Sequence, residues 1–274
     1  MIKLVMENNL PQIRMILGPP RSGTTVLQNA LCEAENTQGI YEPIRVETFE
    51  DKKPLQYLNF SVFKSLDDPE CHPEIKKQPK KTFILKEAMG YFLAKLGNRI
   101  IPSDKDVERA KPVFIFRDPY DTYNSIKKVG WYPINDFISI YKKCCNTCLE
   151  LKKRFPDNIT VVTYDQFMKN PGKILEKICK NWGLKFNDNL LNWKKSVFDK
   201  ISFHPNQRER MLRDGIHNTL LNQTGKLSDC KPKKLKLNFL ERRKIRRELE
   251  PLYKQVSEIA NKDFPDIYAN TGAA

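Results

Sequence analysis

Short apolar runs alternate along this chain with stretches in which apolar residues recur every three or four positions. Ile13-Arg14-Met15-Ile16-Leu17, Thr82-Phe83-Ile84-Leu85-Lys86, Val113-Phe114-Ile115-Phe116 and Ile159-Thr160-Val161-Val162-Thr163 have the near-continuous apolar character of strands covered on both faces. Helical spacing appears between them. Val26, Leu27, Ala30 and Leu31 predict a helix over 26–34, a second runs from Pro119 to about Lys128, and a third follows Pro133 with Cys144 and Cys148 on one face. Asn170-Pro171 opens a fourth, and Ile245, Leu249, Leu252, Val256 and Ile259 give a terminal amphipathic helix. Strands alternating with helices predict an α/β fold, three layers α/β/α around a mostly parallel central sheet.

The first strand runs into Gly18-Pro19-Pro20-Arg21-Ser22-Gly23-Thr24-Thr25. This turn keeps the two glycines of the phosphate-binding pattern G-x-x-x-x-G-K-[ST], with Thr24 in place of the lysine. Backbone N–H groups and the positive end of the following helix converge on an anion in such a turn. Ser22, Thr24 and Thr25 add hydroxyls and Arg21 a planar fork of donors. Without the lysine, hydrolysis of ATP or GTP is not expected. A second anion position follows the strand at 113–116, where Arg117 precedes Asp118, a good N-cap, and Pro119, suited to the first helical position. Ser125 lies about two turns into that helix. Ligands gather beyond the carboxyl ends of parallel strands, so both turns face one crevice and a ligand with two separated phosphates spans it.

These residues resemble the sulfotransferases that use 3′-phosphoadenosine 5′-phosphosulfate (PAPS). Pro19 to Thr25 matches the family's 5′-phosphosulfate loop, Arg117 and Ser125 match its 3′-phosphate pair, and the strand at 159–163 followed by Tyr164-Asp165-Gln166-Phe167 is similar to its adenine-contacting strand and tyrosine. Thr224-Gly225-Lys226 resembles, more loosely, the loop that closes on the 3′-phosphate. The resemblance implies PAPS as donor, held by Pro20, Arg21, Ser22, Gly23, Thr24, Thr25, Arg117, Ser125, Tyr164, Thr224, Gly225 and Lys226, and adenosine 3′,5′-bisphosphate (PAP) as product. Cytosolic members place a lysine and a histidine two apart at a strand end; here Lys86 fits the lysine and Ala88 stands where the histidine would be. Carbohydrate and protein-tyrosine members carry a glutamate before a proline, which Gly39-Ile40-Tyr41-Glu42-Pro43 resembles. Glu42 is therefore the candidate base, Glu87 its competitor, and Arg21, Lys86 and Thr24 the groups that stabilise charge on the departing oxygens.

The remaining composition adjusts this reading. With 274 residues and no low-complexity linker the chain reads as a single domain, 1–274, with inserts at about 44–80 and 187–222 that shape the acceptor site. The net charge of +15 raises the question of nucleic acid. The basic residues from Arg242 to Arg247, however, fall on the solvated face of the terminal helix, and the rest of the excess suits an anionic donor, so nucleic acid is not expected as a partner. His72 and His204 read as loop residues and His217 as a lining residue without a catalytic part; no histidine and cysteine spacing suggests a metal. Seven cysteines, an odd number, without a secretory leader read as reduced thiols. No apolar run reaches the roughly eighteen residues of a membrane span, so the expectation is a cytoplasmic enzyme, without membrane attachment, acting on a small-molecule acceptor such as a natural product. Two other readings remain open: a P-loop kinase-like phosphotransferase, which requires Mg²⁺ on a carboxylate such as Asp118 or Asp165, and a protein that binds PAP without turnover.

Overall fold

Parallel pairing of six strands organises the chain, in a computed structural model that describes residues 11–46, 61–64, 81–193, 196–214, 225–227 and 237–267. The strands are β1 (Gln12–Gly18), β2 (Thr37–Tyr41), β3 (Thr82–Ala88), β4 (Val113–Phe116), β5 (Thr160–Thr163) and β6 (Ile201–Ser202), in the order β5-β4-β1-β3-β2-β6. All neighbours run parallel, and β1 pairs with β3 along its full length, from Gln12 opposite Thr82 to Gly18 opposite Ala88. The fold is the expected three-layer α/β arrangement. The sheet winds away from β1 in both directions, through β3 and β2 on one side and β4 and β5 on the other, which opens a crevice at the carboxyl end of β1.

Successive strand residues point to opposite faces, and each face has its own apolar layer. Phe83 and Leu85 of β3 pack with helix residues such as Phe137, Tyr141 and Cys144. Ile84, between them, packs on the other side with Leu27, Leu31 and Trp182. The helices nearest the site are α1 (Thr24–Leu31), α2 (Asp104–Ala110), α3 (Pro119–Lys128), α4 (Ile134–Arg154), α5 (Tyr164–Lys169) and α6 (Pro171–Trp182). The described cysteines Cys32, Cys144, Cys145, Cys148 and Cys179 are buried free thiols.

Arg14 is a polar residue inside a core strand, and its partners explain it. Its guanidinium donates to the carbonyls of Arg109 (2.6 Å), the last residue but one of α2, and Trp182 (3.0 Å), the last of α6, and so satisfies helix C-termini that meet β1. Burial lowers its pKa to about 10, which leaves it charged at neutral pH. Arg14→Met strands both carbonyls, and a loss of about 2–4 kcal/mol in unfolding free energy is expected from urea titration.

Two details depart from the sequence reading. Strands β2 and β6 were not anticipated; β6 comes from the second insert, which is pinned by Lys200, whose buried ammonium pairs with Glu33 at 2.7 Å and accompanies the Trp193 ring at 5.4 Å. The terminal helix is two, α8 (Phe239–Glu248) and α9 (Glu250–Asp263), following α7 (Pro205–Asp214). Pro251 offers no N–H and its ring conflicts with the preceding turn, so the first helix ends at Glu248 and a new one starts at Glu250, with Leu249 capping both. Tyr164 follows β5 and opens α5 behind a capping box formed by Thr163 and Gln166. Among the described residues no helix is long and apolar enough to cross a membrane.

Candidate active site

The two loop glycines are fixed by different constraints. A Cβ on Gly18 would stand 2.3 Å from the Ile115 carbonyl oxygen, so β1 and β4 approach too closely for any side chain. Gly23 has φ 101° and caps α1, and a Cβ there would meet the Tyr164 ring at 2.5 Å. No side chain caps α1, so its first amides are left pointing into the crevice. Beside them the buried Ser22 hydroxyl has no hydrogen-bond partner. Pro20, Thr24 and Thr25 are buried around the same turn.

Arg21 has φ 69°, a left-handed conformation that a non-glycine residue adopts at a cost. That geometry sends its side chain across to α3, where Nε donates to Ser125 Oγ at 3.0 Å, while its guanidinium lies 5.6 Å from the Trp131 ring centre. The turns after β1 and β4 therefore meet. Arg117 completes the meeting. Its guanidinium lies 4.8 Å from the Tyr164 ring centre, and its backbone carbonyl is held by Tyr141 Oη (2.7 Å) and Thr122 Oγ1 (3.2 Å). Its buried Nε has no partner, although Nη2 reaches Asp121 at 3.5 Å. Burial, and then the charge of Arg117, lower the pKa of Arg21. Two guanidiniums close enough to repel, an unpartnered Nε, an unpartnered hydroxyl and an uncapped helix start together fit a multiply charged anion.

A buried acid–base pair lies at the ends of β2 and β3. The Glu42 amide donates to the Lys86 carbonyl at 2.9 Å, which extends the β2–β3 pairing by one residue. Glu42 then turns left-handed, φ 47°, and Pro43–Arg45 forms a short helical turn. Glu42 Oε1 accepts from Lys86 Nζ at 2.6 Å and Oε2 from Arg45 at 2.7 Å. Burial alone would raise the Glu42 pKa, but the charges and hydrogen bonds of Lys86 and Arg45 outweigh it and hold the carboxyl at about 2. Burial likewise opposes the charge on Lys86, and Glu42 and Tyr41 reverse that and raise its pKa. The ammonium sits 3.9 Å from the Tyr41 ring centre, and Phe203 flanks Tyr41 at 4.8 Å.

Glu87 is placed otherwise. It is next to Lys86 in the strand and so faces the opposite layer, where Oε1 accepts from the Ile44 amide at 2.5 Å and Oε2 has no partner. Burial, reinforced by the Glu42 charge, pushes its pKa well above that of an ordinary carboxyl. Glu42 is ionised at neutral pH, whereas the environment of Glu87 favours its protonated form. Gly225 and Lys226 form a two-residue strand antiparallel to Asn192–Trp193. Thr224, His72 and His217 lie outside the described residues.

Tyr41, Arg45 and Trp131 were not foreseen. The sequence held a usable signal only for Arg45, three residues after Glu42 and hence one helical turn away. Asp118 accepts the amides of Tyr120 and Asp121, at 2.8 and 3.1 Å, and is spent as an N-cap.

The fold and this crevice define a three-layer α/β domain with a P-loop-like turn at the carboxyl end of β1. Solved structures to which it is similar include several sulfotransferases. The sulfotransferase domain of the olefin synthase from Synechococcus PCC 7002 is 18% identical, with 92% of this chain and 95% of that one covered and a TM-score of 0.48. The sulfotransferase domain from the curacin biosynthetic pathway is 17% identical over 91% and 98%, also at 0.48. Mouse sulfotransferase SULT7A1 complexed with PAP is 13% identical over 95% and 84%, at 0.42. No protein-family model matches the sequence, and no curated protein matches it.

Proposed function

We propose that this chain is a PAPS-dependent sulfotransferase that sulfates a hydroxyl or amine of a soluble small molecule in the cytoplasm. The observation that carries the reading is the junction of two anion positions, joined by the Arg21–Ser125 hydrogen bond, with a buried Glu42–Lys86 pair at the neighbouring strand ends. PAPS supplies an activated sulfuryl group, and its two phosphate positions suit the two turns. Ser22, Thr24, Thr25 and the α1 amides would hold the phosphosulfate end; Arg117 and Ser125, with Lys226, the 3′-phosphate; Tyr164 the adenine. Glu42 is the base for the acceptor proton. With both oxygens engaged it is held ionised and aimed, and as Lys86 turns toward charge developing on the departing oxygens, one cation is withdrawn and the carboxylate becomes more basic.

The kinase reading is weakened by Asp118, which would have to give up its helix cap to hold Mg²⁺. A PAP-binding protein without turnover has no use for a buried, ionised Glu42 beside Lys86. Calorimetric titration with PAP, and with ATP with and without Mg²⁺, tests the proposal. Tight, metal-independent binding of PAP is expected; preference for Mg-ATP, or binding of neither, overturns it.

A further inference from the structure

Helix α8 presents a face that the transferase chemistry does not use. Phe239 and Leu240, at its start, are 75% and 66% exposed, the largest values among the exposed bulky apolar residues of the described chain. The same short helix, FLERRKIRRE, carries five cationic residues against two acids. The acids are turned inward: Glu241 pairs with Lys127 at 2.8 Å and Glu248 with Lys142, while Ile245 is buried between them. Glu241, Ile245 and Glu248 fall at i, i+4 and i+7, one stripe of the helix. The opposite stripe holds Phe239, Arg243 and Arg246, with Arg242, Leu240 and Arg247 beside it, all exposed. Arg247 also touches Glu248 and Arg246 approaches Glu250 at 4.0 Å, but the side chains of both arginines remain more than 70% exposed.

We infer that this face docks the protein on an anionic lipid surface, with Phe239 and Leu240 entering the interface and the arginines of α8 meeting the headgroup phosphates. A second copy of the chain is disfavoured, because two such faces repel. A nucleic-acid backbone would pair with the arginines yet offer nothing apolar to Phe239 and Leu240. A bilayer supplies both, phosphates outside and hydrocarbon just beneath. The lack of a membrane-crossing helix among the described residues concerns passage through the bilayer, not attachment to its surface.

The test is co-sedimentation of the full chain with vesicles of phosphatidylcholine alone and of phosphatidylcholine mixed with phosphatidylserine, with short duplex DNA titrated separately. Binding is expected to the mixed vesicles only, and to fall as salt is raised. The double substitution R243E/R246E should weaken it by about thirtyfold or more, at roughly fivefold per charge removed. F239S/L240S, at positions so exposed that folding is not at stake, should weaken it while leaving the salt dependence in place. Equal binding to neutral vesicles, indifference to F239S/L240S, or tighter binding to the DNA than to the mixed vesicles would overturn the inference.

Discussion

Glu42→Gln lowers sulfuryl transfer by roughly two to four orders of magnitude, the usual contribution of a positioned base, and leaves PAP binding close to unchanged. Glutamine keeps the shape but has one carbonyl oxygen where two carboxylate oxygens accept, so it can take a hydrogen bond from Lys86 or from Arg45 but not from both, and it cannot take a proton. Titration calorimetry beside a turnover assay separates the two effects; normal turnover by the Glu42→Gln variant removes Glu42 from the mechanism. The pH dependence adds a second check. The Glu42 pKa is depressed in the folded protein, to about 2, so the carboxylate is ionised well below neutrality. With kcat/KM reporting the free enzyme, no acidic limb from this group is expected between about pH 5 and 8. The stability that Glu42 contributes by being charged is present above its unfolded value, and is lost as pH falls from about 4.5 through about 2. Glu87 has the opposite sign: its raised pKa favours the folded state while it is protonated, and that contribution fades as pH rises through the raised value.

Arg117→Ala weakens PAP binding by roughly 30- to 1000-fold, about 2–4 kcal/mol, because a partly buried charged donor to phosphate is removed. The backbone at this position is held independently, through its carbonyl, by Tyr141 and Thr122, so the substitution removes a side chain and not a turn. It also removes a like charge from beside Arg21. The melting temperature without ligand should therefore hold or rise. A residue with a purely structural part would lower it, and unchanged PAP affinity in calorimetry would remove Arg117 from the anion site.

The sheet was legible where apolar residues were contiguous. Val113–Phe116 matches its predicted bounds, and the strands at 13–17 and 82–86 extend by only a residue or two at their ends. Strand β2 was hidden because Thr37, Gln38 and Gly39 give it neither an apolar run nor a β-rich composition, and β6 because only two residues pair. Tertiary pairing selects both strands, which local preference does not. Among the site residues, the glycine-rich turn, Arg117 and Ser125 were readable because phosphate chemistry restricts residue types. Tyr41, at the end of β2, and Trp131, in a loop, were not, because single aromatics at such positions are common and gain meaning only from where the chain returns; Arg45 left only the hint of its spacing from Glu42. The competition between Glu42 and Glu87 was likewise undecidable from spacing. The strand's two-residue period separates them, by sending Lys86 to one face and Glu87 to the other.

That separation makes β3 sensitive to its own alignment. A slip of one residue would bring Glu87 round to the Glu42 side, setting two acids together, and drive the Lys86 ammonium into the layer of Phe137 and Tyr141, where no carboxylate awaits it. Most buried strands reject a misaligned partner only through poor apolar packing, which a run such as Phe83-Ile84-Leu85 does weakly because either face accepts any of the three. In this strand Lys86 also acts as a proofreading mark for assembly, since the wrong alignment leaves its buried amine without the Glu42 carboxylate. Replacing Lys86 and Glu42 together by apolar residues would therefore be expected to blur the alignment of the central sheet.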